Sequence, residues 1–318
     1  MNYQVGMNQI EPQATGSDVP EPLFILALPK SFTSVFGSCL GQHPGIMGVP
    51  ELNMFVGDTV HDWAYQPANL QLNGAFRDGL LRTLAQLKFG GQTEQTVAQA
   101  EQWLVDRVEW PIRDVFEELR RLSAPSILLD QSPPYTASPR HIFRLLEAYP
   151  NAKFIHLTRN PTSWIKSIQD WQKFGDVLLG LFRSEEKGLA RQPDPIEIWH
   201  AANEGIAAVL ADLPPEQSIR VRGEDVLTDF DPQMKRVLEF LNLDTSDASM
   251  AELHHPERSV YASLGPRGAR FGNNPNFLKE PKLKLKTPED LDKLITMKRD
   301  MVEIPEETIQ FAASMGYK

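Results

Sequence analysis

Short apolar runs alternate along this chain with longer stretches in which apolar residues return every three or four positions. The runs at Leu23–Leu28, Ser126–Asp130, Lys153–Leu157 and Ser218–Val221 predict strands, and the first, apolar throughout, predicts a central strand buried on both faces. Helical spacing predicts helices over about Asn73–Leu87, Glu94–Leu122, Arg140–Tyr149, Pro161–Trp171, Ile196–Leu210, Pro232–Leu241, Glu289–Met301 and Glu306–Met315. Trp103, Leu104, Val108, Ile112, Val115 and Leu119 form one apolar stripe of the second. Strands alternating with helices predict right-handed crossovers and a mostly parallel sheet covered on both faces, an α/β fold in three α/β/α layers. Met1–Pro22 is polar and aperiodic, which predicts a flexible tail over 1–22 ahead of one domain over 23–318. Phe174–Pro195, rich in proline, glycine and charge, reads as an inserted flap; Glu51–Pro67 and most of Leu243–Pro288 read as irregular.

With 318 residues, 41% of them hydrophobic and 23% charged, the composition is that of an ordinary globular protein with a large core. A net charge of −10 argues against broad nucleic-acid binding, yet a few basic groups in one cleft would still hold a nucleotide. The single cysteine, Cys39, excludes an intramolecular disulfide and a cysteine metal site, and its place on the apolar side of a helix makes it a core residue. No apolar run approaches the roughly 20 residues that span a bilayer, and the N-terminus lacks the charged and apolar regions of a signal peptide. The expectation is a cytoplasmic protein with no membrane or nucleic-acid partner.

Ligands of open α/β sheets bind outside the carboxyl ends of the strands, where three polar features fall here: Lys30-Ser31, Asp130-Gln131 and Arg159-Asn160. After Leu28 the chain reads Pro29-Lys30-Ser31-Phe32-Thr33-Ser34, and a helical pattern follows through Val35, Phe36, Cys39 and Leu40. A buried strand, a hydroxyl-rich loop and a helix start make a phosphate-binding layout: backbone N–H groups point at the anion, the helix dipole favours it, and Lys30 adds a full charge. The third strand leads into Arg159-Asn160-Pro161, with Ser167 eight residues beyond Arg159 on the next helix, so that fork and hydroxyl grip a second phosphate.

These motifs resemble those of the sulfotransferases that use 3′-phosphoadenosine 5′-phosphosulfate (PAPS). Pro29–Ser34 is similar to their 5′-phosphosulfate loop, and Arg159-Asn160-Pro161 with Ser167 to their 3′-phosphate site. Asp130-Gln131-Ser132-Pro133 resembles an Asp-Lys-x-Pro element, and Gly223-Glu224-Asp225-Val226 a Tyr-Glu-Asp-Leu element. Gly272-Asn273-Asn274-Pro275-Asn276-Phe277 is similar to a late Gly-Asp-Pro-x-Phe loop of bacterial members, which include domains embedded in polyketide synthases. The resemblance covers about Leu23 to Leu278 and implies a fold like that of the P-loop NTPases, with helical and irregular insertions.

It also implies chemistry. A sulfuryl group would pass in line from PAPS to a hydroxyl, or an amine, of a small-molecule or acyl-carrier-tethered acceptor. Lys30, Ser31, Phe32, Thr33 and Ser34 would hold the phosphosulfate, with Lys30 stabilising the leaving phosphate. Arg159 and Ser167 would hold the 3′-phosphate, covered by Arg267 or Arg270. The resemblance makes Glu51, in Gly48-Val49-Pro50-Glu51, the candidate general base, and a neighbouring anion would raise its pKa as a base near neutral pH needs; His254 and His255 are the alternatives. His43, His61, His141, His156 and His200 read as structural. No metal is required, and no Asp/His cluster has metal-ligand spacing.

Three positions depart from the family. Phe32 replaces a glycine, Gly223 replaces a tyrosine near the adenine, and Gln131 replaces a lysine. Phe32 either keeps a conformation compatible with the loop and lines the acceptor pocket, or alters cofactor binding. Two other classes stay open: a P-loop kinase, for which Gly-x-x-x-x-Gly-Lys-[Ser/Thr] and a Walker B aspartate are missing, and a catalytically impaired PAPS-binding protein, favoured only by Phe32. Lys279–Lys286 is locally basic, a solvated edge or a docking site for an acidic carrier or anionic acceptor. The sequence does not speak to oligomeric state.

Overall fold

Leu23–Leu26 forms β1 at the centre of the sheet, every residue buried, as an apolar run between two neighbours requires. The structure, a computed structural model, describes residues 19–66, 74–170, 194–291 and 303–317. Nearly all of the expected tail and flap, Trp171, and the expected helix beyond residue 291 lie outside the described residues.

β2 (Ile46–Gly48), β3 (Ile127–Asp130), β4 (Lys153–Thr158) and β5 (Ser218–Arg222) complete a five-stranded sheet in the order β2-β3-β1-β4-β5. Every pairing is parallel, so all five carboxyl ends open at one edge. Four strands lie where the apolar runs put them. β2 was not expected: three residues ending in glycine carry too little period to read, and only pairing with β3 makes them a strand.

Side chains of β1 alternate between two layers. Phe24 and Leu26 face one core, where the Phe24 ring lies between Phe116 (5.5 Å) and Phe154 (5.7 Å). Leu23, Ile25 and Ala27 face the other, with Phe36, Cys39 and Leu40 of helix α1 (Thr33–Leu40) and Phe230, Val237 and Leu238. Cys39 is buried there as a free thiol.

The single helix expected over Glu94–Leu122 is two, Glu94–Val105 and Ile112–Ser123. Between them, the Val108 and Trp110 carbonyls accept the His61 and Val60 N–H groups at 2.8 and 3.0 Å, and Pro111 precedes the second helix. A continuous helix would have spent those carbonyls internally. Trp110 is 40% exposed and meets Trp103 edge-on at 5.9 Å with the Arg107 guanidinium against both rings. Among the described residues no helix is long and apolar enough to cross a membrane.

Candidate active site

The loop after β1 holds two of the four left-handed non-glycine residues among the described residues. Lys30 (φ 68°) and Phe32 (φ 67°) are both left-handed, a conformation that costs a non-glycine residue about 1–3 kcal/mol. Phe32 is the N-cap of α1, and its side chain offers no oxygen to the first-turn N–H groups; no acidic residue stands in that turn either. The positive end of α1 is therefore uncapped, next to buried Ser31, Thr33 and Ser34 and half-buried Lys30. Burial, aided by the Arg159 charge, holds the Lys30 ammonium below the usual lysine range.

The neighbouring strand end supplies the second cation. Arg159 follows β4, and its guanidinium donates to the Lys30 carbonyl and, at 2.8 Å, to Ser163 Oγ. Burial pushes it down to about 10, against the pull of Glu224, so it stays charged at neutral pH. Ser163 is the hydroxyl bonded to Arg159, and Ser167 sits one turn further along Pro161–Gln169, half-buried.

Two indoles brace these loops from behind. Trp164 Nε1 donates to the Pro29 carbonyl (2.7 Å), and Trp199 Nε1 to the Arg159 carbonyl (2.9 Å). Glu224, at the end of β5, accepts the Asn160 N–H (2.9 Å) and the Tyr317 hydroxyl (3.2 Å), and burial raises its pKa. Tyr317 also meets Thr158 Oγ1 at 2.7 Å. The C-terminal residues are therefore packed directly behind the β4 exit. Asp225 pairs in bidentate fashion with Arg222, both distances being 2.7 Å.

On the other side of β1, Asp130 at the end of β3 organises the segment after β2. Its carboxylate accepts from Ser132 Oγ and Tyr135 Oη, both at 2.6 Å, and Ser132 and Tyr135 in turn accept the Asn53 and Met54 N–H groups at 2.8 and 3.0 Å. The half-buried Glu51 precedes this segment, and its N–H donates to the Gly272 carbonyl at 2.7 Å. Burial raises Glu51 to about 8, with Asp130 repelling it further; burial also raises Asp130 to about 6.

A late loop ties both sides together. Asn274 N–H donates to Ser34 Oγ (3.1 Å), and Gln131 Nε2 donates to Asn273 Oδ1 (2.7 Å). Arg82, fully buried, holds the loop by donating to the Phe271 and Ser263 carbonyls at 2.8 and 2.9 Å, while Asp78 accepts the Phe271 N–H at 2.9 Å.

Arg267 and Arg270 are exposed on this loop. His254 binds Asp231 (2.6 Å) and rests on Phe230, and His255 binds Glu257 (2.9 Å). Both histidines follow Leu253, which packs on the Ile25 face of the sheet, whereas the Glu51 segment continues into Leu52 and Met54 on the Phe24 face. Lys282 and Lys284 are exposed and pair with Glu280.

The profile of the Sulfotransferase family matches residues 22–247, the region holding both loops. The chain belongs to that family. It is similar in structure to the sulfotransferase domain from the curacin biosynthetic pathway, at 22% identity and a TM-score of 0.67 over 95% of this chain and 99% of that domain. It is also similar to the sulfotransferase domain from the Synechococcus PCC 7002 olefin synthase, at 24% identity and a TM-score of 0.70 over 96% of this chain and 98% of that one. No curated protein is significantly similar in sequence. In this sulfotransferase the strand-end loops were legible in advance, whereas Trp164, Trp199, Arg82 and Tyr317 gave no signal, because their partners are distant in sequence.

Proposed function

We infer that this sulfotransferase moves a sulfuryl group from PAPS to a hydroxyl, or an amine, of a small-molecule or carrier-tethered acceptor. The observation that carries this reading is the uncapped N-terminus of α1 with Lys30 beside it and Arg159 at the adjoining strand end. Two cations at adjoining strand ends fit a ligand bearing two separated anionic groups.

In this reading the α1 amides, Ser31, Thr33 and Ser34 hold the 5′-phosphosulfate, and Phe32 lies in the same loop. Arg159 holds the 3′-phosphate, with Ser167 and the Arg267 loop as further contacts. The donor supplies the sulfuryl group and departs as 3′-phosphoadenosine 5′-phosphate. Lys30 neutralises the charge that grows on the departing oxygen, and Glu51 accepts the proton of the acceptor hydroxyl as the new S–O bond forms. A carboxyl raised to about 8 suits that exchange, and the adjacent donor anion would raise it more. The likeness to domains from a biosynthetic pathway and an olefin synthase makes carrier-tethered acceptors worth testing beside free ones.

The test is binding followed by turnover. Millimolar 3′-phosphoadenosine 5′-phosphate should raise the melting temperature, and radiolabel should pass from PAPS to a member of a panel of free and carrier-bound alcohols and amines. Absence of any thermal shift rejects the reading.

A further inference from the structure

Two of the chain's departures from its family meet in space. The Phe32 ring lies so close to Gly223 that a Cβ there would fall 2.2 Å from Phe32 Cδ2 and 2.9 Å from Cε2. Gly223 is not in the left-handed region, so space and not backbone geometry demands glycine at that position. The Arg159 guanidinium carbon stands over the same ring, 4.5 Å from its centroid. The edge of the ring completes a small apolar recess with Val35, Cys39, Val226 and Leu227.

These contacts help a phenylalanine persist in left-handed backbone: Gly223, Arg159 and the apolar recess hold its partly buried ring. They also constrain Arg159. Of its five N–H donors, two are committed to Ser163 Oγ and the Lys30 carbonyl, and one face of the fork is covered by the ring. What is left is a fixed edge of N–H groups, which is what selective capture of a phosphate requires.

We propose that Phe32 is a positioning residue for Arg159: seated in the hollow that Gly223 leaves, its ring holds the guanidinium by one face and sets the preference for a nucleotide bearing a 3′-phosphate. Phe32 and Gly223 then act as a reciprocal pair, a ring in one position requiring no side chain in the other. This rests on the assignment of Arg159 to the 3′-phosphate.

Phe32→Leu keeps an apolar filler and removes the π face. Titrations would compare 3′-phosphoadenosine 5′-phosphate with AMP, which lacks the 3′-phosphate. The wild type should prefer the former; in Phe32→Leu its affinity should fall roughly tenfold, with AMP held within about twofold. Equal losses for both nucleotides would overturn the proposal, because the ring would then be only a loop filler. A wild type without preference would instead reject the Arg159 assignment and the proposal with it. The seat is tested without ligand: Gly223→Ala should lower the melting temperature, and adding Phe32→Gly should recover part of that loss. Strict additivity of the two changes overturns the pairing.

Discussion

The cation corner and the carboxyl corner of this sheet edge are buried alike, and burial moves them oppositely. It lowers the two cations, Arg159 to about 10, and raises the carboxyls of the other corner, Glu51 to about 8 and Asp130 to about 6. Each group is pushed towards its neutral form, because low dielectric penalises charge of either sign. The starting values decide the outcome. A guanidinium lowered to about 10 is still charged at neutral pH, whereas a carboxyl raised to about 8 is mostly protonated. One corner therefore stays cationic at neutral pH, while the Glu51 carboxyl of the other is mostly neutral.

The largest expected effects come from removing one group from each corner. Lys30→Met should lower kcat about 10²–10³-fold with no change in melting temperature. Glu51→Gln should lower it by at least about 10²-fold and change the pH profile. In the wild type, kcat/KM should climb as pH rises through about 8, because the carboxylate is the active form; in Glu51→Gln that limb should be flat. Stability has the opposite slope. Folded Glu51 keeps a proton that the unfolded chain releases near pH ~4.3, so stability is fully present below that value and falls as pH rises through about 8. Denaturant midpoints at pH 5 and 9 should differ less in Glu51→Gln than in the wild type.

An intermediate effect tests the brace behind the cation corner. Trp164→Phe leaves the buried Pro29 carbonyl without its donor and should cost about 1–3 kcal/mol in denaturant unfolding. The smallest effect is expected of His254→Ala, which breaks a partly exposed pair with Asp231 worth no more than about 1 kcal/mol. Its turnover should match the wild type. A loss as large as that of Glu51→Gln would move the base from Glu51 to His254.

Much of this was legible in the chain, for identifiable reasons. Leu23–Leu26 and Lys153–Thr158 are apolar enough to read as buried strands, so the loops at Lys30 and Arg159 could be placed at one edge before any coordinates. Ile46–Gly48 was illegible because three residues show no period. The hydrogen bond from Arg159 to Ser163 was illegible because the sequence does not show which hydroxyl of the next helix a strand-end guanidinium meets. Arg82 and Tyr317 looked like any arginine and tyrosine, since the carbonyls and carboxylate that occupy them come from remote segments.

The sequence by itself determined where four of the five strands run and which polar residues stand at their ends, because hydrophobic period and motif are local properties. Only the tertiary structure decided what Phe32 does. Read locally, it was a bulky residue where the loop wants glycine. The space that lets it stand there is made by Gly223 at the end of β5, and the charge that covers it by Arg159 at the end of β4. Close packing between distant segments has no signature along the chain, because it exists only once the strands are side by side.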